Sequence, residues 1–273
     1  MELSLILGFV GAFLIGLTLG LIGGGGSILT VPLLVYLLDM DPVKATGYSL
    51  FIVGLTSAFG AARHLMLDQC KLKAGLYFAI PSTLSVFLTR SYLLPSLPNP
   101  LMVAGSMQLD KGDFLMTLFA ALMLGTSWSM IRGGGKEQGK ARGQDAPQYF
   151  LVGLGGLLVG VLAGMVGAGG GFLIVPALIL LTRSSMKEAV GTSLFVIAIQ
   201  SLLGFLGELG NENTTIEFDF LLTFSAFAVL GALIGVYGSR SIKSERLKPI
   251  FGSFVLLMAI GILIAEWTGL SGI

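Results

Sequence analysis

The stretch Gly20-Leu-Ile-Gly-Gly-Gly-Gly-Ser-Ile-Leu-Thr-Val-Pro32 returns 144 residues later as Gly164-Met-Val-Gly-Ala-Gly-Gly-Gly-Phe-Leu-Ile-Val-Pro176. The register holds without a gap from residues 20–60 onto 164–204, through Ala45/Ala189, Gly47/Gly191, Ser49/Ser193, Leu50/Leu194, Phe51/Phe195, Ser57/Ser201 and Gly60/Gly204. Apolar composition yields chance matches of Leu and Val. It does not align a glycine cluster, a proline and a Gly-x-Ser-Leu-Phe string in one register. The chain is therefore an internal duplication, with a glycine-rich break in each copy.

The surroundings of the breaks set the solvent. Of 273 residues, 54% are hydrophobic and 11% charged, against about 25% charged in an ordinary soluble domain. Such a surface belongs in lipid. Forty glycines fit the same conclusion, because small residues let membrane helices approach closely. A net charge of +1 carries no nucleic-acid footprint. The single cysteine, Cys70, excludes an internal disulfide and a thiolate metal cluster, and nothing calls for a cofactor. The apolar start has Glu2 and no basic leader, so it is expected to stay as a membrane helix rather than be cleaved.

Crossing the hydrocarbon as a helix takes about 20 apolar residues. Long apolar segments fall at 3–22, 43–62, 72–94, 114–131, 149–166, 189–209, 218–239 and 247–267. Two shorter ones, 28–38 and 172–182, follow the breaks and would each extend about 16 Å, half a bilayer. The predicted fold is an all-α polytopic membrane protein of eight long segments plus two short helices. Residues 1–131 form the first membrane repeat, 132–147 a polar linker and 148–273 the second repeat.

Loop charge orients the copies. Basic residues flank the second long segment (Arg63, His64, Lys71, Lys73), fill the linker (Arg132, Lys136, Lys140, Arg142) and recur at Arg240, Lys243, Arg246 and Lys248. The loop equivalent to the first of these carries Glu208, Glu212 and Glu217 instead. Basic loops stay in the cytoplasm, which requires an odd number of crossings per half. The repeats are thus predicted to be inverted, each short piece and the long segment after it making no net crossing. The linker is then cytoplasmic, and both termini lie outside a cell (inner) membrane.

The two glycine strings, with Ala45-Thr-Gly-Tyr-Ser-Leu-Phe51 and Ala189-Val-Gly-Thr-Ser-Leu-Phe195, resemble the signature of the TauE/SafE sulfite exporter family. The resemblance covers essentially the whole chain. It implies export of sulfite, sulfoacetate or another sulfur-containing organic anion. The motifs mark the family, not the cargo.

The breaks have a chemistry of their own. A helix that starts just after a glycine break presents free N–H groups and the positive end of its dipole, an anion site that needs no charged side chain. Gly23, Gly24, Gly25, Gly26 and Ser27 in the first copy, and Gly167, Gly169, Gly170 and Gly171 in the second, are the candidates. An inverted repeat brings two such ends together, as in other secondary transporters. Tight helix packing is the competing explanation for the same glycines. Gly47, Tyr48 and Ser49, with Gly191, Thr192 and Ser193, form a second candidate set, whose hydroxyls either meet the anion or bond back to their own helix. Differences between the copies (Gly24/Ala168, Ser27/Gly171, Tyr48/Thr192) suit an asymmetric ligand.

Arg63 and His64 are candidates for gating or coupling, although a helix end marking topology explains them as well. Arg90 and Arg240 are expected to snorkel to the interface, leaving no charged residue well inside a membrane segment. Coupling is then absent or uses His64, Glu208 or the substrate's own proton. The expected partners are the bilayer and a small anion, with room for a homodimer. A lone histidine at a membrane edge argues against an intramembrane enzyme, and no metal ligands are grouped. A passive anion channel and a membrane scaffold or assembly factor remain as alternatives.

Overall fold

A computed structural model describes residues 2–98, 101–103, 107–132, 146–167, 169–182, 184, 186–209, 216–238, 252–253 and 255–264. Most of the linker, Arg240–Lys248, Glu212 and part of the last apolar segment lie outside these residues. Helix α1 (Glu2–Ile22) ends at Gly23. A helical run then begins as a 3₁₀ turn (Gly24–Leu29), continues through α2 (Thr30–Pro32) and closes in a π turn (Leu33–Leu37). Next come α3 (Pro42–Leu65) and α4 (Leu72–Leu88), the latter extended by a π turn (Thr89–Leu93) into α5 (Leu94–Ser96). Helix α6 (Lys111–Arg132) completes the first half. The second half repeats the plan as α7 (Ala146–Val166), α8 (Gly171–Thr182), α9 (Met186–Leu209) and α10 (Phe218–Gly238), with an apolar helix Val255–Ile264 at the end.

The all-α expectation needs one correction. Leu101–Val103 and Met107–Leu109 pair as a short antiparallel ribbon before α6. Among the described residues, six helices are long and apolar enough to cross a membrane: Leu5–Ile22, Pro42–Leu65, Leu72–Ser96, Tyr149–Val166, Lys187–Glu208 and Phe218–Gly238. They match six of the eight expected long segments. The fourth segment is the 22-residue α6, and the eighth is described only in part.

Both short pieces fold back on the helix that precedes them. A Cβ on Gly11 would fall on the Leu33 side chain and one on Gly8 on that of Leu38, while Gly155 faces Leu181 in the other copy. Each short piece therefore returns the chain toward the end where its long helix began, and α3 or α9 then runs the full length. The packing partner of each short piece is thus the preceding helix.

Glycine contacts give the directions of the other helices. Gly16 meets Ala228 and Gly20 meets Ala232, so α1 and α10 run parallel. Gly156 on Phe78 and Gly160 on Ser82 make α7 and α4 parallel in the same way. Backbone meets backbone at each of these points, an approach that a side chain would prevent. In contrast, Gly54 lies against Leu202, Gly60 against Leu194 and Leu50 against Gly204, so α3 and α9 are antiparallel. These two helices are the duplicated pair. They are also the innermost: 72% of the positions in their most apolar stretch are buried, against 33–44% in α1, α4, α7 and α10.

The outer helices turn Leu76, Ile80, Leu84, Leu154, Leu158, Leu230 and Ile234 outward. An apolar surface this extensive is not found on a soluble monomer. In lipid it costs nothing.

Candidate functional site

The tips of the two helical hairpins meet between α3 and α9. Gly23 has φ +80°, and Gly167, Gly169 and Gly170 have φ +74°, +62° and +62°, a region that L side chains adopt only at a cost. The first tip reaches Val190 and Ser193 near the start of α9, while Gly167 reaches Thr46 near the start of α3. Between them, Gly24 and Gly171 pack backbone on backbone: a Cβ on Gly24 would stand 2.2 Å from the Gly171 carbonyl carbon. Gly26 packs equally tightly on the backbone of Leu19. These three positions carry the packing explanation of the glycines, and Gly25 shares the 3₁₀ turn with Gly24 and Gly26.

The two tips are not built alike. The first coils straight into its 3₁₀ turn, with Ser27 Oγ donating to the Gly24 carbonyl at 2.7 Å. The second keeps a left-handed loop before α8, where the Gly170 carbonyl accepts from Leu173 and Ile174 N–H. Its cause is a buried polar bridge. Gln200 of α9 donates to the Gly169 carbonyl and is itself met by Ser82 Oγ of α4. The first copy has Thr56 in place of Gln200, and Thr56 bonds back to Ile52 of its own helix. The α4–α7 and α1–α10 registers place Ala228 where Ser82 stands. No comparable bridge forms there.

A serine hydroxyl stands beside each tip, Ser193 at the first and Ser201 at the second. Ser201 Oγ would lie 2.7 Å from a Cβ on Gly169, and it has no hydrogen-bond partner among the described residues, nor do Ser49 and Ser57. Buried polar groups are normally paired, which makes these hydroxyls exceptions. Ser201 and Ser57 mark the duplication in the sequence yet do not stand out there as ligands. Ser193 lies beside the first tip but bonds back to the Val190 carbonyl at 2.8 Å.

Tyr48 and Thr192 serve the loops. The Tyr48 hydroxyl accepts from Glu217 N–H at 2.7 Å, and Thr192 Oγ1 accepts from Lys71 N–H at 2.9 Å. Each equivalent hydroxyl thus anchors the residue just before the next helix, α10 or α4. Ion pairs flank both anchors with the signs exchanged: Lys44 of α3 holds Glu217 at 2.7 Å, and Glu188 of α9 holds Lys71 at 3.3 Å.

Gly47 and Gly191, the remaining candidates, each make room for an ionisable side chain. A Cβ on Gly47 would meet the Glu208 carboxylate arm, and one on Gly191 would meet the Gln69 carbonyl and His64 Cβ. Glu208 and His64 are themselves equivalent positions of the two repeats. His64 is buried and bonds Gln69 through Nδ1 at 3.1 Å, its Nε2 having no partner among the described residues; Arg63 is half-buried. Arg90 corrects the sequence expectation. It does not snorkel: it is 2% exposed, and its Nη1 holds Glu208 Oε2 at 3.2 Å. The reason is the π turn Thr89–Leu93 in which it sits. Such turns shift the side-chain phase of a helix and recur at functional sites.

The comparisons with known proteins agree with this architecture. Residues 8–262 match the family model described as "Sulfite exporter TauE/SafE". A probable membrane transporter protein of Xylella fastidiosa (strain Temecula1 / ATCC 700964) is 31% identical over 98% of both chains. The probable membrane transporter protein YunE of Bacillus subtilis (strain 168) is 27% identical over 94% of this chain and 93% of its own. No solved structure matches. The helix content, the paired breaks and these matches together place the chain in the TauE/SafE sulfite exporter family of membrane transporters.

Proposed function

We propose that the protein is a secondary transporter that exports a small sulfur-containing anion, such as sulfite, sulfoacetate or a related organosulfonate, by alternating access. The observation that carries this is the meeting of the two glycine tips between α3 and α9. Equivalent helices that run antiparallel, together with the exchange of neighbours between α1–α10 and α7–α4, support repeats inverted across the membrane. The charges at the two ends support cytoplasmic placement of Cys70 and Lys71, with Glu217 outside.

The anion is held at the second tip, by the N–H groups of Gly171 and Phe172 at the start of α8 and the Ser201 hydroxyl beside Gly169. The first N–H groups of a helix have no acceptor within it. A trigonal sulfur oxyanion offers three oxygens to such donors, and the positive end of the helix favours its charge.

Reconstitution tests the proposal. Proteoliposomes loaded with sulfite, sulfoacetate, taurine or thiosulfate should exchange at least one of them, and should drive accumulation when a gradient of that anion is imposed. Simple equilibration without accumulation would mark a channel. Gly169→Val places a β-branched residue at φ +62° and is expected to abolish exchange while leaving membrane insertion intact. Normal exchange by this variant would remove the backbone cradle from the account.

A further inference from the structure

We infer that Arg90 is a substrate-binding residue for the anion, and that Glu208 is the resting partner the anion displaces. This deepens the transport proposal above and rests on it. Among the described residues Arg90 is the one buried Lys or Arg, a costly placement unless its donors are used. They are used only in part. Nη1 holds Glu208, whereas among the described residues Nε and Nη2 have no partner, and Glu208 Oε1 has none either. Nε–H and Nη2–H are the two parallel donors on one edge of the guanidinium plane. That edge is the fork that receives two oxygens of a carboxylate, phosphate or sulfonate. A structural salt bridge would be expected to use it on the carboxylate; here the fork is left open.

The location agrees with the tip site. Glu208 packs over Gly47, Thr46 beside it packs on Gly167, and Thr89 packs on Gly164 of the same hairpin. Arg90 is therefore linked by direct contacts to the helix whose end enters the second tip. The arrangement also belongs to one end of the protein alone. At the equivalent of Glu208 stands His64, bonded to Gln69, and the α4–α10 register places Val236 where Arg90 stands. Among the described residues one fully buried guanidinium gives a two-fold scaffold a direction: the anion meets Arg90 at one end of its path and the His64–Gln69 pair at the other.

Arrival of the anion on the open fork weakens the Nη1–Glu208 bond, because both partners compete for one positive charge. The test is uptake kinetics in proteoliposomes, using whichever of sulfite, sulfoacetate, taurine and thiosulfate the wild type exchanges fastest. Arg90→Lys keeps the charge and loses the fork; KM is expected to rise at least tenfold. Glu208→Gln removes the competitor, so KM is expected to fall while turnover slows. Arg90→Met with Glu208→Leu replaces the pair by apolar side chains, a change that buried pairs often tolerate. This double variant is expected to elute as a folded protein and to lose thermal stabilisation by the anion. Wild-type KM in Arg90→Lys, or anion stabilisation retained by the double variant, overturns the inference alone. Failure of the wild type to exchange any of sulfite, sulfoacetate, taurine and thiosulfate overturns the transport proposal, and the inference with it.

Discussion

Alanine at Gly24 or at Gly171 is expected to abolish transport and to lower the melting temperature of the purified protein. The added methyl at Gly24 would stand 2.2 Å from the carbonyl carbon and oxygen of Gly171; at Gly171 it would stand 2.5 Å from the Gly24 Cα. Neither neighbour is the end of a flexible side chain, so both hairpins must separate along their whole contact. Overpacking of a well-filled interior costs about 1–3 kcal/mol, and a backbone–backbone clash belongs at the top of that range. Gly125 is the control, since a Cβ there meets nothing within 4 Å. Thermal unfolding and exchange by Gly24→Ala, Gly171→Ala and Gly125→Ala decide the matter. Wild-type behaviour of the first two would mean that the tips do not meet.

Gln200→Leu is expected to have the second large effect. The substitution conserves volume but removes the donor to the Gly169 carbonyl and the acceptor for Ser82. Leaving buried polar groups without partners costs about 1–3 kcal/mol each. The left-handed loop at Gly169–Gly170 then loses its tether, and exchange is expected to fall at least tenfold. Thr56→Val, at the equivalent position, breaks a bond only within its own helix and is expected to change exchange less than twofold. Equal losses in the two variants would show that the asymmetry between the tips has no part in transport.

The backbone architecture was largely legible in the sequence. Glycine and proline report demands of the main chain, so their alignment at a fixed offset exposed the duplication, and the length of residues 28–38 exposed a piece too short to cross. Side-chain partnerships were not legible in the same way. Arg90 and Glu208 are far apart in sequence, and a lone Arg near the end of an apolar segment looks like an interfacial anchor until the π turn turns it inward. Gln200 sits unremarked in an apolar run, and its partners come from two other helices. For Tyr48 and Thr192 the sequence leaves two roles open, contact with the anion or a bond back to their own helix. Only the packed structure places a loop N–H over each of them. The ribbon at Leu101–Val103 and Met107–Leu109 escaped notice because three-residue strands have no measurable periodicity.

Membrane sidedness is the claim on which the rest depends, and cysteine accessibility in intact cells measures it directly. The native Cys70 serves as one probe; Lys136→Cys, Lys243→Cys and Glu212→Cys in a Cys70→Ser background supply three more. The account expects an impermeant maleimide to label position 212 from outside, and to reach positions 70, 136 and 243 only after the membrane is opened. Labelling of 212 and 243 from the same side would contradict the inverted arrangement, and with it the proposed alternating-access mechanism.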